Sequence, residues 1–315
     1  MYKILVLFFL TILIVHSKEI HPTYKLKSMG IVNDFVVVKN KIYIANNEGT
    51  VDIFDLNSGK IIEQIVLNPL TTKLNKLVPQ NIISVDVIND KVLLVSIGNS
   101  AYRNVWIYEN HTLTQKIDES QKLTIKEARF IDDEKIFLAT FASEIILHDT
   151  AEQYNLYNKH ISQSTMGDIV LSEDKKTVFI SDESGEVQLR ELESSKLLKT
   201  FSSQNVDNVY HIAYAKGILI TAGQDRRVAV YQDGIKDYHI KSDFLVYCVG
   251  ISPSSKVGVY SKGEKSNLQL FDTKNGRKTD ELVGHSGIVN QIKFINENEL
   301  FSSDRGYYVY YWELN

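Results

Sequence analysis

Few residues in this chain have the types and spacing that catalysis or metal binding requires. The 315 residues include eight histidines and one cysteine, and they form no cluster with the spacing of metal ligands. A Gly-x-Ser-x-Gly nucleophile motif and a phosphate-binding glycine loop are both missing. Cys248 lies in the apolar run 244–249, where a thiol is expected to pack as a small hydrophobic group. The sequence therefore predicts no catalytic site, no metal site and no cofactor.

Arginine side chains in predicted turns are the clearest candidates for polar contacts with a partner. Arg226 and Arg227 are adjacent in one turn, and Arg305 lies in another. Guanidinium groups could bind an acidic protein surface, although charged side chains in turns are more often simply exposed to water. The formal net charge is −4 and no run of Lys or Arg is present, which argues against nucleic acid as a partner.

Pairs made of an aromatic and an acidic or polar residue recur at the ends of short apolar strands. They are separated by 54, 40, 42, 41, 40 and 41 residues. Intervals near 40, each holding four alternating apolar runs, predict an all-β fold: a seven-bladed β-propeller with four-stranded antiparallel blades and almost no helix. In blades three and four a polar residue replaces the aromatic one, so we expect those strand ends to be partly exposed. The first residues of the pairs are Phe54, Tyr108, His148, Arg190, Tyr231, Phe271 and Trp312.

The last stretch, residues 284–314, begins with a Gly-His pair, contains three strands and resembles a WD repeat of the WD-repeat β-propellers. The resemblance implies that His285 bonds the carboxylate of Asp304. It also implies a link from His285 through the hydroxyl of Ser302, or that of the next serine, to Trp312. Such a relay satisfies buried polar groups and is not catalytic. Asp304 precedes Trp312 by eight residues where the family has six, so the relay is expected to be incomplete.

Blade five has the turn spacing of the WD-repeat family but not its histidine. Asp225 precedes Tyr231 by six residues and Thr221 supplies the strand hydroxyl, while no Gly-His pair stands upstream. The resemblance therefore gives Thr221, Asp225 and Tyr231 a structural role. In most other blades the relay is expected to be lost, so that apolar faces between neighbouring blades provide the cohesion.

Blade seven supplies only three strands of its own. Residues 21–28 alternate in polarity and have the length of one further strand. WD-repeat propellers commonly complete their last blade with the N-terminal strand. The resemblance implies the same closure here, which leaves no free edge on the closing blade.

Two stretches interrupt the regular repeat, and both belong to blades one and two. About 13 extra residues, 68–80, precede blade two, and a long turn, 97–104, lies inside it. In a propeller these connections lie on one face, together with the turns that hold the three arginines. Loops that depart from a rigid repeat often carry function, although they are also tolerated as surface decoration. The predicted partner-contacting residues are Leu70, Lys73, Lys76, Tyr102, Arg103, Arg226, Arg227 and Arg305.

Residues 1–17 have the organisation of an export signal. Lys3 forms the basic region, residues 4–15 form an apolar core, and Ser17 is a small residue before a predicted cleavage at Lys18. The apolar core is shorter than the roughly 20 residues that a transmembrane helix needs. We therefore expect a periplasmic protein with a single propeller domain, residues 18–315, and no membrane anchor after cleavage. An uncleaved anchor is the alternative.

The resemblance to WD-repeat proteins covers nearly the whole chain after residue 17, and it implies an interaction platform without an active site. A narrower resemblance, carried by the segment TAGQDRRVAVY at 221–231 and by the export signal, is to the NapL-type propellers encoded with periplasmic nitrate reductase. It implies an accessory role in maturing that reductase. We expect a monomer that binds another periplasmic protein, for example a nitrate reductase component. A propeller that binds a small ligand or peptide, and a propeller hydrolase or lactonase with a metal in its channel, are the alternatives.

Overall fold

The computed structural model describes residues 17–314. The predicted export signal, residues 1–17, lies outside the described residues except for Ser17. Across the described range, no helix is long and apolar enough to cross a membrane.

Strands account for almost all of the regular structure. The chain starts with two short strands, β1 (Glu19–Ile20) and β2 (Tyr24–Lys27). Blade one contains β3 (Val32–Val38), β4 (Lys41–Asn46), β5 (Thr50–Asp55) and β6 (Lys60–Val66), and a small hairpin of β7 (Leu70–Thr71) and β8 (Leu77–Val78) follows. Blade two contains β9 (Ile82–Ile88), β10 (Lys91–Ile97), β11 (Arg103–Glu109) and β12 (Thr112–Ile117), followed by a 3₁₀ turn (Glu119–Gln121). Blade three contains β13 (Ile125–Phe130), β14 (Lys135–Thr140), β15 (Glu144–Asp149) and β16 (Tyr154–His160).

The remaining blades follow the same order from the inner to the outer strand. Blade four contains β17 (Met166–Leu171), β18 (Thr177–Asp182), β19 (Val187–Glu191) and β20 (Leu197–Phe201). Blade five contains β21 (Val209–Ala215), β22 (Ile218–Gly223), β23 (Arg227–Gln232) and β24 (Tyr238–Lys241). Blade six contains β25 (Val249–Ile251), β26 (Val257–Lys262), β27 (Asn267–Asp272) and β28 (Lys278–Leu282). Blade seven contains β29 (Val289–Phe294), β30 (Glu299–Asp304) and β31 (Tyr308–Glu313). The predicted seven-bladed propeller is confirmed.

Seven apolar clusters hold the blades together, and each combines side chains from two neighbouring blades. Between blades seven and one, for example, Phe301 and Val309 pack with Val32 and Ile42. Each fully buried side chain of this kind contributes about 1.5–3 kcal/mol relative to an exposed one. The ring therefore depends on contacts between neighbouring blades.

The predicted ring closure is confirmed. Strand β2 pairs antiparallel with β31 in a register that runs from Tyr24–Tyr311 to Lys27–Tyr308. The ring of Tyr24 stacks on that of Tyr311 with their centroids 4.5 Å apart. Leu26 is buried in the cluster between blades seven and one. Blade seven thus has four strands, one of them from the N-terminal segment.

Blade six has a fifth strand that the sequence reasoning did not predict. Strand β1 pairs parallel with β28, with Glu19 opposite Glu281 and Ile20 opposite Leu282. Ile20 is buried in the cluster between blades six and seven. A strand of two residues has no measurable period in sequence, so only the structure reveals it.

The inner strand of blade six is shorter than the sequence pattern indicates. The apolar run 245–251 predicts a strand of that length, but β25 begins at Val249. The backbone N–H groups of Tyr247 and Cys248 donate instead to the Ser261 hydroxyl, at 2.9 and 3.1 Å. A side chain therefore replaces the backbone acceptor for these two N–H groups, while the Cys248 carbonyl still accepts from the Ser261 N–H at 2.9 Å.

The expected exposure of His148 and Arg190 is wrong, because only 3% and 6% of these residues remain accessible. His148 pairs through Nδ1 with Asn155 Oδ1 at 2.8 Å. Arg190 donates through NH1 to the Ser195 carbonyl at 2.7 Å. A polar partner on the neighbouring strand, Asn155, and one in the following turn, Ser195, therefore replace the packing of an aromatic ring.

Candidate functional site

The relay in blade seven is complete, contrary to the expectation from its spacing. Trp312 Nε1 donates to Ser302 Oγ at 2.7 Å, and Ser302 Oγ lies 2.7 Å from His285 Nε2. His285 Nδ1 lies 3.2 Å from Asp304 Oδ2. The eight-residue spacing is accommodated because Asp304 is the last residue of β30 and the turn follows it. Trp312 donates to Ser302, Ser302 donates to His285 Nε2, and His285 Nδ1 donates to the Asp304 carboxylate. The histidine proton therefore lies on Nδ1.

Burial and hydrogen bonding fix the charge states of this relay. Burial lowers the pKa of His285, although the Asp304 carboxylate opposes that shift. Burial works to raise the pKa of Asp304, but the hydrogen bonds from His285 and from the backbone N–H groups of Ser286 and Gly287 outweigh it and lower that pKa. A neutral imidazole therefore donates to an ionised carboxylate. All four relay residues are buried, so they hold the blade together and do not meet a ligand.

Blade five contains a second relay in which an asparagine replaces the loop histidine. Thr221 Oγ1 donates to Asn205 Oδ1 at 2.6 Å, and Asn205 Nδ2 lies 3.3 Å from Asp225 Oδ1. The Tyr231 hydroxyl accepts from the backbone N–H of Gln204 at 3.3 Å. The predicted structural residues Thr221, Asp225 and Tyr231 thus meet around one loop. A search for Gly-His missed Asn205, although it stands 16 residues before Thr221, close to the spacing in blade seven.

Blade two contains a third relay, built on the only other tryptophan. Trp106 Nε1 donates to Ser96 Oγ at 3.0 Å, and Ser96 Oγ donates to Gln80 Oε1 at 3.0 Å. Asn104 Nδ2 lies 3.4 Å from the same Gln80 oxygen. Blade two is therefore an exception to the expectation that most other blades lose the relay. Ser96 stands 16 residues after Gln80 and ten before Trp106, against 17 and ten for the histidine relay, so spacing could have found it.

A cavity of about 550 Å³ lies beside the relay of blade two. The irregular stretch 68–80 forms the β7–β8 hairpin on one side of it, and the long turn 97–104 lies on another. Leu70 and Tyr102, both predicted as partner-contacting residues, line this cavity together. The predicted adjacency of the two interruptions is thus confirmed. The other lining residues are Gln80, Ser100, Asn104, Trp106, Gln115, Asp118, Glu119, Ser120 and Lys122.

The cavity combines aromatic and amide groups with an acidic rim. Two carboxylates, Asp118 and Glu119, face one ammonium group, Lys122, among the lining residues. Hydrogen bonds from Ser120 lower the pKa of Asp118. Glu119 Oε2 accepts from the backbone N–H of Ser100 at 2.9 Å and so ties the 3₁₀ turn to the long turn of the blade. The site therefore suits a group that is apolar or positively charged.

The other predicted contact residues have different surroundings. Lys73 and Lys76 are exposed in the β7–β8 hairpin. Arg103 does not line the cavity, because its guanidinium lies 5.8 Å from the centre of the Phe141 ring and donates to the Ala101 carbonyl. Arg227 donates to the Gln204 carbonyl at 2.7 Å and supports the blade-five loop. Arg226 and Arg305 are exposed, and neither lines the cavity.

Polar side chains of the inner strands line a second cavity, the central channel, of about 440 Å³. Six inner strands contain a register shift near their start. In four of them, the side chain of the residue after the shift accepts a hydrogen bond from a backbone N–H group of the next blade. A β-bulge turns that side chain towards the neighbouring strand. These bonds are Val85 N–H to Asp34 (2.9 Å), Ala128 N–H to Ser84 (3.3 Å), Ile212 N–H to Asp168 (2.8 Å) and Phe35 N–H to Gln291 (2.9 Å).

Charged groups of both signs meet in this channel. Arg129 lies 2.8 Å from Glu127 Oε2 and 3.6 Å from Asp34 Oδ2. Burial and the neighbouring Asp168 raise the pKa of Glu127 to about 8, although Arg129 opposes the shift. Burial lowers the pKa of His211 to about 4. At neutral pH Glu127 therefore keeps a proton and His211 has none. Among residues 17–314, no group of three or more His, Cys, Asp or Glu could hold a metal ion.

Comparisons with known proteins bear on the fold. No protein-family model matches the chain, and no curated protein matches it in sequence. The β-propeller domain of Cps50 (Swd1) from Myceliophteria thermophila is similar in structure, with a TM-score of 0.73 over 93% of this chain and 99% of that one, at 12% identity. The chain therefore has a WD-repeat-like propeller fold. Because 1870 solved chains match, this likeness does not choose among the functions that such propellers have.

Proposed function

We propose that this chain is a non-catalytic scaffold of the bacterial periplasm that binds another protein at blades one and two. The observation that supports this most directly is the cavity of about 550 Å³ at the place where two loops break the repeat. Rigid blades carry both loops, so a partner would meet a site that is already formed. The propeller fold is also consistent with an interaction platform.

The surface around the cavity indicates what the partner presents. Leu74 and Leu77 of the β7–β8 hairpin are 80% and 68% exposed, which leaves apolar area next to the cavity. The lining adds aromatic rings, amides and an excess of carboxylates. An extended segment with an apolar and a basic side chain complements these groups.

The specific partner in this proposal is a component of periplasmic nitrate reductase. The segment 221–231 and the predicted export signal support it, through their resemblance to the NapL-type propellers. In this role the chain would assist maturation of the reductase and would need no active site of its own.

Binding of purified periplasmic nitrate reductase, measured by calorimetry, tests both levels of the proposal. We expect the pair Leu74→Asp and Leu77→Asp to weaken binding by about tenfold or more, because exposed apolar anchors are replaced by charges. The matched control is Leu197→Asp with Leu198→Asp, on the exposed outer strand of blade four, which should leave the affinity unchanged.

The outcomes test the scaffold role and the identity of the partner separately. If the reductase does not bind but another periplasmic protein does, and the hairpin pair weakens that complex, the scaffold remains and the nitrate reductase link is wrong. If the hairpin pair and the control behave alike, the contact surface lies elsewhere.

The central channel supports a second candidate, binding of a small anion. Lys293 projects into the channel and has no carboxylate within ion-pair distance among the described residues. Native mass spectrometry of the purified chain and of Lys293→Met would detect such a ligand as a mass increment that only the unaltered chain retains. No increment in either form would argue against this candidate.

A further inference from the structure

Among the described residues 17–314, the N-terminal segment first contacts the propeller at Lys18. Its backbone N lies 2.9 Å from Asp280 Oδ1. Its carbonyl accepts from the backbone N–H of Glu281 at 3.0 Å, and the carbonyl of Ile20 accepts from Val283 at 2.8 Å. Within the described residues, the ladder along β28 thus begins at Lys18, the residue that follows the predicted export signal.

We infer that Asp280 is a binding site for the processed N terminus of this same chain. Hydrolysis between Ser17 and Lys18 by a signal endopeptidase breaks the amide bond. Water supplies the hydroxyl of the Ser17 carboxyl group and a proton of the Lys18 amine, and the amine takes up a further proton at neutral pH. The neutral N–H next to Asp280 then becomes an α-ammonium group with three donors. An ion pair between the α-ammonium group and the Asp280 carboxylate thus replaces a hydrogen bond from a neutral donor.

The position of this ion pair connects processing to ring closure. Residues 18–20 lie on the outer edge of blade six, and the chain then crosses to blade seven as β2. Between them, His21 Nδ1 donates to the Val283 carbonyl at 3.1 Å. Ile20 packs in the cluster that contains Trp312. Holding Lys18 on Asp280 therefore fixes the segment that closes the ring.

The inference rests on the proposed export signal, and two measurements test it separately from partner binding. The first is the intact mass of the chain recovered from the periplasm. We expect the mass of a chain that begins at Lys18. The second compares two purified forms, one that begins at Lys18 and one that retains Ser17, each with Asp280 intact and with Asp280→Asn. Glu264→Gln, in an exposed turn of blade six, is the control for loss of one negative charge.

We expect Asp280→Asn to lower the melting temperature by roughly 0.5–2 °C in the Lys18 form and by clearly less in the Ser17 form. The α-amino pKa is about 8 in an unfolded chain, and a carboxylate partner raises it, so the ion pair stabilises the fold below that pH. The difference between the two forms should therefore disappear as the pH rises to about 10, and it should shrink at high salt. Neither form should respond in this way to Glu264→Gln.

Two results would overturn the inference. Equal effects of Asp280→Asn in the two forms would mean that Asp280 only accepts a neutral hydrogen bond. A recovered chain that begins at another residue would mean that Lys18 is not the processed terminus. Failure to bind nitrate reductase would change neither measurement.

Discussion

The two tryptophans of this protein, Trp312 and Trp106, occupy equivalent places in blades seven and two. Each donates to a serine ten residues earlier in sequence, at 2.7 Å in blade seven and 3.0 Å in blade two. The serine in turn bonds to His285 in blade seven and to Gln80 in blade two. Trp312 is fully buried, whereas Trp106 is only half-buried and faces the cavity of about 550 Å³. The hydrogen-bond geometry is shared, while the chemistry and the surroundings differ.

The same relay of hydrogen bonds therefore has a different role in each of the two blades. In blade seven the relay ends on an ionised carboxylate at the point where the N-terminal segment closes the ring. In blade two the relay ends on neutral amides, and Asn104 Oδ1 accepts from Gln115 and from the backbone of Glu119. These contacts tie the walls of the cavity to one another. Blade seven therefore uses the relay for cohesion, and blade two uses it to shape an open site.

The largest expected effect comes from removing the closing segment. Deletion of residues 18–28 exposes the apolar cluster between blades seven and one. It removes Ile20 and Leu26 from buried sites and Tyr24 from a half-buried one. Three side chains at about 2 kcal/mol each suggest a loss of about 6 kcal/mol and a fall in melting temperature of about 10 °C or more. Deletion of residues 70–78 removes the hairpin beside the blade-two cavity and should change the melting temperature by only about 2 °C. Circular dichroism melts of the two deletions against the unaltered chain measure this contrast, and equal melting temperatures would break it.

Replacing each tryptophan by phenylalanine tests the two relays directly. Trp312→Phe leaves the buried Ser302 hydroxyl without its donor and creates a cavity, so we expect a loss of about 2–4 kcal/mol. Trp106→Phe removes the same bond at a half-buried site that water can reach, so we expect about 1 kcal/mol. Urea denaturation at pH 7.5 gives both values. A larger loss at Trp106 would mean that blade two also contributes mainly to cohesion.

A third effect depends on pH, because only the blade-seven relay contains a titratable loop residue. The pKa of His285 is lowered in the fold, so the unfolded chain binds more protons as the pH falls below about 6.5. The unaltered protein therefore loses stability through His285 on acidification, and His285→Gln does not. We expect the variant to be less stable by about 1 kcal/mol at pH 7.5 and to approach the unaltered protein at pH 5. Denaturant melts at both pH values measure the gap, and a gap that widens at pH 5 would contradict the assigned charge states.

The sequence predicts the ring well because blades repeat, and it predicts the relays poorly because different residues fill the same place. Spacing indicated seven blades, and the propeller topology placed the two interruptions that contain Leu70 and Tyr102 side by side. The closing strand within residues 21–28 was implied by the resemblance to WD-repeat propellers. Gln80 and Asn205 were missed because an amide oxygen can accept a hydroxyl proton as an imidazole nitrogen does, so no single residue type marks the position. The channel bonds depend on bulges, and a one-residue bulge leaves no trace in an apolar pattern.

The smallest expected effect is that of the reciprocal exchange, Gln80→His. A neutral imidazole can accept from Ser96 as the amide does, so the loss at pH 7.5 should be below about 1 kcal/mol. Its second nitrogen would lie near Asn104, on the side of the cavity where Asp118 and Glu119 supply negative charge. Protonation there is disfavoured less than at His285, which is deeply buried, because the carboxylates and nearby water stabilise the imidazolium. Between pH 7.5 and pH 5, the stability lost through the new histidine of Gln80→His should therefore be smaller than the stability that the unaltered chain loses through His285. A pH dependence as steep as that of His285 would show that the space beside blade two is as dry as the interior of blade seven, and that the cavity is not an open site.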